Sequence, residues 1–280
     1  MRFKKLTRFY NWLRFGNRLY VSEGSAWLAE KGVIVRNCSA RINGRSEVTI
    51  GAGAIVRNVS FQIASGSRVR IEDGACLEGM NISLLKGSEL VFGKNGRFGD
   101  IVFYIEKGKV HFAENNCFDS GVSTIHPRID IEEGSIKIGD HNHVKGSFWV
   151  RFGGEVVIGR YNCINEQTEI RADESVHIGS YNMISYNCDI WDTNTHSHLS
   201  LDEKKALFEK DFPTIGREKQ RPKTSPVSIG NGNWIGKYAC ILKGVTIKDN
   251  VTVGTRAIVS NMHVEDGSVI VSPKGSVVCQ

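Results

Sequence analysis

Eight histidines and seven cysteines are the residues of this 280-residue chain best suited to chemistry at neutral pH. Imidazole, with an ordinary pKa of ~6.5, can take a proton from a substrate and return it. Two of the eight stand close together in Ile190-Trp191-Asp192-Thr193-Asn194-Thr195-His196-Ser197-His198, behind an acid and a run of small polar side chains. At this point either one could serve as a general base. The other histidines have weaker settings: His177 alternates outward between Val176 and Ile178, and His126, His141 and His143 have no comparable neighbours. The cysteines, at 38, 76, 117, 163, 188, 240 and 279, are odd in number and form no CxxC pair. Neither a zinc ribbon nor a disulfide framework is indicated, and a reducing cytoplasm is the simplest compartment.

The elements that must hold these residues repeat. From Ile229 an aliphatic residue returns every sixth position, at Ile235, Ile241, Ile247, Val253 and Val259. An amphipathic helix would return at i+3, i+4 and i+7, whereas six suits short strands joined by tight corners, three to a triangular coil. Gly230, Gly236, Gly244 and Gly254 supply corner residues. Upstream, a phrase of alternating apolar and polar residues recurs from residue 44, with anchors at Ile50, Ile71, Phe92, Phe112, Ile138, Ile158, Ile178 and Ile229. Four positions after the last five anchors stand Asn116, Asn142, Asn162, Asn182 and Asn233, which predicts an asparagine ladder along one corner. The spacing predicts an all-β parallel β-helix solenoid of about ten coils, stacked ~4.8 Å apart.

Intervals between anchors are 20 or 21 residues except for 26 before Ile138 and 51 before Ile229. The longest places a loop at 192–225, opening where Asp192 and His196 stand, and a loop of such length is usually functional. Within it Ser200-Leu-Asp-Glu203 reads as a capping box opening a helix over Lys204 to Phe212, stopped by Pro213. Arg217, Lys219, Arg221 and Lys223 then alternate as a solvated stretch, with contact to phosphates as the competing reading. Three segments result: a basic amphipathic helix over 1–22, irregular coils over 23–134 with bulged corners and an out-of-register stretch from Cys117 to Ile131, and regular coils over 135–280.

Net charge is +6, and all of it resides in residues 1–20, where Arg2, Lys4, Lys5, Arg8, Arg14 and Arg18 meet no acid. The rest is balanced, which argues against a nucleic-acid surface. Leu6, Phe9, Tyr10 and Leu13 share one helical face, suited either to capping the solenoid or to peripheral contact with the inner face of an anionic membrane. No signal-peptide core and no apolar run of ~20 residues is visible.

The run from Pro226 through Trp234-Ile-Gly-Lys-Tyr-Ala239 to Ile247, followed by Val253-Gly-Thr-Arg-Ala-Ile-Val259, resembles the hexapeptide-repeat acyltransferases. The galactoside and maltose O-acetyltransferases and the capsule or O-antigen acetyltransferases are similar to it. The resemblance implies a left-handed β-helix, a homotrimer with sites between subunits, acetyl-CoA as donor, no metal, and a saccharide or polysaccharide acceptor. In that family the exit into the loop carries the catalytic histidine, and His196 is the matching position, with Asp192 supporting it. The donor would lie along Trp234, Gly236, Lys237, Ala239, Gly254, Thr255, Arg256 and Ala257. The acceptor would meet Trp191, Asn194, His198 and Tyr186. The family's closing Gly-Asn-Pro-Ala-Lys is represented only by Val271-Ser272-Pro273-Lys274.

Within the enzyme class, N-acyl transfer to an amino sugar nucleotide or acetylation of a xenobiotic is the alternative. A carbonic-anhydrase-like zinc site fits less well: His141 and His177 suit it, but Asn182 stands where a third histidine is needed. A non-catalytic scaffold would want flat Thr-x-Thr ladders and no long loop.

Overall fold

The computed structural model describes residues 16–214 and 219–273. Three parallel sheets of eleven strands each run the length of the molecule, and each successive strand of the chain enters the next sheet in turn. Eleven triangular coils result, close to the expected ten. Face A begins with Arg18–Val21, face B with Ala26–Ala29 and face C with Ile34–Arg36. Since Arg18–Val21 is already a strand, the expected N-terminal helix cannot extend to residue 22. Its apolar positions, Leu6 to Leu13, lie outside the described residues.

Alternation decides what fills the interior. In Glu47–Ile50 the side chains of Val48 and Ile50 are buried while those of Glu47 and Thr49 are not, and every later coil repeats this. Coils of 20 or 21 residues enclose a wider section than coils of 18, so larger side chains are needed to fill them. Phe92, Phe98, Phe103, Phe112 and Phe118 interlock there, Phe92 and Phe112 stacked at 5.9 Å. Beyond Val227 the interior is Ile, Val and Ala.

Both kinds of coil satisfy their corners with ladders. Asn116 Oδ1 accepts from the Asn142 main-chain N–H at 2.8 Å, and the same bond links 142 to 162, 162 to 182 and 182 to 233. The N-terminal coils, expected to be irregular with bulged corners, keep unbroken register and use serine instead. Ser25, Ser46, Ser67 and Ser88 each accept from the next coil's corner amide, at 3.1–3.2 Å. The stretch expected to be out of register narrows to 119–127. Arg128–Ile131 is a face A strand paired with Val102–Ile105.

Candidate functional site

The long loop leaves at the edge between faces A and B in the ninth coil, after the strand Asp189–Trp191, and returns before Val227–Ile229. Its neck is pinched by an antiparallel bridge between Thr193 and Thr224, and by bonds from Asn194 N–H to the Lys223 carbonyl and from Ser225 N–H to the Asp192 carbonyl. Helix α1, Leu201–Asp211, starts three residues earlier than expected because Ser200 is itself the N-cap. Ser200 N–H donates to Glu203 Oε2 at 2.7 Å and Glu203 N–H returns to Ser200 Oγ. No residue of α1 is buried, so it stands off the coils. The basic run is occupied with holding the loop: Lys219 pairs with Asp211 at 2.6 Å and Arg221 with Glu174 at 3.1 Å. Arg217 lies outside the described residues.

Beneath the neck is a polar network that the sequence did not announce. Arg151 grips Asp173 with two bonds, Nε to Oδ1 at 3.0 Å and Nη2 to Oδ2 at 2.7 Å, both side chains buried. Thr193 Oγ1 donates to Asp173 Oδ2 at 2.8 Å and accepts from Thr195 N–H at 3.1 Å. The Thr195 carbonyl lies 3.4 Å from Arg151 Nη2. Thr195 sits at φ 65°, a conformation that β-branched residues rarely adopt and that this network holds in place. The consequence is a fixed turn that presents exposed His196, whose N–H donates to the Asn194 carbonyl at 2.8 Å. His198 is also exposed.

Asp192 is completely buried and faces the coil below. Its two carboxylate oxygens accept from the main-chain N–H groups of Asp173 at 2.8 Å and Glu174 at 2.7 Å. It acts as a clasp between loop neck and solenoid. Burial pushes its carboxyl up to about 6, against those amide donors. Because the folded form holds this proton more tightly than the unfolded chain, the group favours folding most at acid pH. That contribution is lost as pH rises from ~4 to ~6. Measured by urea unfolding, Asp192→Asn is therefore expected to gain on wild type by up to about 3 kcal/mol between pH ~4 and ~7. An unchanged stability difference at the two pH values would contradict the raised carboxyl.

The residues assigned to the donor share a different edge, between faces C and A. Trp234 points outward on face C, half-exposed, in register with Met183 and Thr252. Lys237 and Tyr238 form the corner after it, and Arg256 the corner one coil on. Lys237 Nζ lies 4.9 Å from the Tyr238 ring centre, and the Arg256 guanidinium 5.5 Å from the same ring. Tyr186, assigned to the acceptor from sequence, is found here, 6.0 Å from Lys237 Nζ, and not beside the loop. Buried Gly236 and Ala239 build this corner, and a Cβ at Gly236 would stand 2.6 Å from Thr255 N. Ala257 is likewise buried, while Thr255 is exposed and Gly254 half-buried. The strip is aromatic and cationic, suited to phosphates and a flat ring.

Between the two edges lies face A. Its outward column runs Trp149, Arg171, Trp191, Leu242, each in register with the next. Trp191 Nε1 and Arg171 Nε are buried and have no hydrogen-bond acceptor among the described residues. Within one chain the structure therefore brings Trp191, Asp192, Asn194, His196 and His198 together, and the donor strip together, but sets the two groups on opposite margins of face A.

Residues 226–261 match the family described as bacterial transferase hexapeptide (six repeats). The expected resemblance is borne out over that stretch. No curated protein matches the chain. Among solved structures, the polySia-specific acetyltransferase NeuO is similar at 17% identity over 72% of this chain and 74% of that chain, with a TM-score of 0.44. Arabidopsis UDP-N-acetylglucosamine acyltransferase is similar at 15% identity over 89% of this chain and 65% of that chain, with a TM-score of 0.41. Among the described residues no helix is long and apolar enough to cross a membrane.

Proposed function

We propose that the protein is an acetyl-CoA-dependent O-acetyltransferase acting on a hydroxyl of a saccharide or surface polysaccharide, working as a trimer with His196 as general base. The observation that carries this reading is one of height. The His196 loop belongs to the ninth coil, and the Lys237–Tyr238–Arg256 strip to the corners just after the ninth and tenth. Three copies turning face A toward a common axis parallel to the solenoid keep these heights equal. They also set the A/B edge of one copy beside the C/A edge of the next. The outward column of Trp149, Trp191 and Leu242 on face A supports that arrangement, since apolar side chains there gain by being covered.

In the site so formed, neutral His196 takes the proton of the acceptor hydroxyl as its oxygen attacks the thioester carbonyl. Main-chain N–H groups of the neighbouring coil receive the negative charge on the carbonyl oxygen. The tetrahedral centre collapses by breaking the carbon–sulfur bond, and the imidazolium protonates the departing CoA thiolate. No acyl-enzyme is involved. Trp234, Lys237 and Arg256 hold the donor, and Trp191, Asn194 and His198 meet the acceptor.

A shared site makes a quantitative demand. His196→Ala and Trp234→Ala, each poorly active alone, are expected to regain activity when unfolded and reassembled together. In random mixed trimers about one quarter of the sites then combine an intact histidine with an intact donor strip. Release of CoA thiol with glycan acceptors reads it out. No gain on mixing, or light scattering that finds only monomer, would sink the shared site.

A further inference from the structure

Cys117 and His143 stand outward on face C, one coil apart and paired in register. Asp119, where the chain departs for the 119–127 excursion, turns to the same point, and one donor atom from each residue lies within 4.8 Å of the other two. Asp119 Oδ2 is 3.2 Å from Cys117 Sγ and 3.1 Å from His143 Nε2. Its other oxygen, Oδ1, accepts from Gly121 N–H at 2.7 Å, which fixes the carboxylate's orientation. The excursion is clamped in turn: a Cβ at Gly121 would collide with Glu166 Oε1, and Glu166 is held by Lys145 at 3.3 Å.

We propose that Cys117, Asp119 and His143 form a binding site for one zinc-class divalent cation, with a fourth position open to water or an outside ligand. Tetrahedral zinc with sulfur at ~2.3 Å and nitrogen and oxygen at ~2.0 Å sets its ligands roughly 3.3–3.6 Å apart. The two Asp119 contacts need widen by only a few tenths of an ångström, and the Cys117 and His143 donor atoms, within 4.8 Å of each other, settle to the same spacing. Binding releases the Cys117 proton and leaves the imidazole proton on Nδ1, so a thiolate and a carboxylate balance the ion's two charges. A sulfur and an imidazole nitrogen select zinc or its analogues over magnesium and calcium. Gly121 N–H plays the supporting part that outer partners play around bound metals. The site lies in the fifth and sixth coils, several coils before the His196 loop, so it stands apart from the proposed transfer chemistry.

The probe is Co2+, added to the full chain after chelation and dialysis. One equivalent is expected to bind with a dissociation constant of ~10 μM or tighter, giving visible bands of a tetrahedral ion and a near-ultraviolet thiolate band, both displaced by Zn2+. Cys117→Ser should abolish the thiolate band, and His143→Asn should weaken binding at least ~10-fold. His177→Asn, exposed on face B, should leave both unchanged. Circular dichroism and metal-free melting confirm that the variants fold. A wild-type chain without the thiolate band, or a band that survives in folded Cys117→Ser, overturns the proposal.

Discussion

His196→Ala is expected to lower kcat by at least ~10², the lower end for loss of a general base, while trimer assembly and acetyl-CoA binding stay intact. The imidazole is exposed on a turn fixed from below by Thr193, Asp173 and Arg151, so truncating it leaves those bonds in place. His198→Ala, one step further along the loop, should cost far less. An assay of CoA thiol release with the true acceptor decides between the two histidines. Near-normal turnover in His196→Ala, with loss in His198→Ala, would move the role two residues along.

Asp173→Ala is expected to destabilise the protein by about 3–5 kcal/mol, because it strands the Arg151 charge without its partner inside the solenoid. The damage should reach function through geometry, since Arg151 and Thr193 together hold Thr195 at its unusual φ. The paired replacement Arg151→Met with Asp173→Leu should recover most of the stability by removing both charges. It should not recover kcat, because the turn bearing His196 has then lost both its guanidinium and its carboxylate. Urea unfolding and turnover measured on the single and double variants separate the two effects. Additive stability losses would show that the pair does not act as a unit.

Periodicity made the solenoid legible, because strand alternation and corner chemistry both repeat with the coil. The asparagine corner was visible for the same reason. Ser25, Ser46, Ser67 and Ser88 carry an equally plain signal at intervals of 21 residues, but serine is common in turns and Ser25 lies before the phrase that recurs from residue 44. His196 could be placed because a long interval marks the exit of a loop. Arg151 and Asp173 could not be paired, since their meeting depends on two successive corners folding inward, which residue types alone do not specify. Tyr186 precedes Trp191 by only five residues, yet five residues along a coil are enough to carry a side chain round to another edge. Cys117 and His143 each follow a ladder asparagine, Asn116 and Asn142, so their register was as legible as the ladder's; residue types do not specify that Asp119, at the start of the excursion, turns to the same point.

Unbroken register from Arg18 to Ile270 makes the molecule a measuring rod. Eight coil steps separate the first face A strand from the one that carries the loop, a stand-off of roughly 38 Å. That distance comes in units. Joining Ile63 to Leu85 removes one whole coil, and Leu85-Lys86-Gly87-Ser88 then takes over the corner of Ala64-Ser65-Gly66-Ser67, with Ser88 inheriting the place of Ser67 in its ladder. Every inward column stays inward, and the loop moves ~4.8 Å closer to the first coil with its own architecture untouched. The height of the loop above the first coil can thus be lengthened or shortened by whole coils without altering the residues of the proposed site.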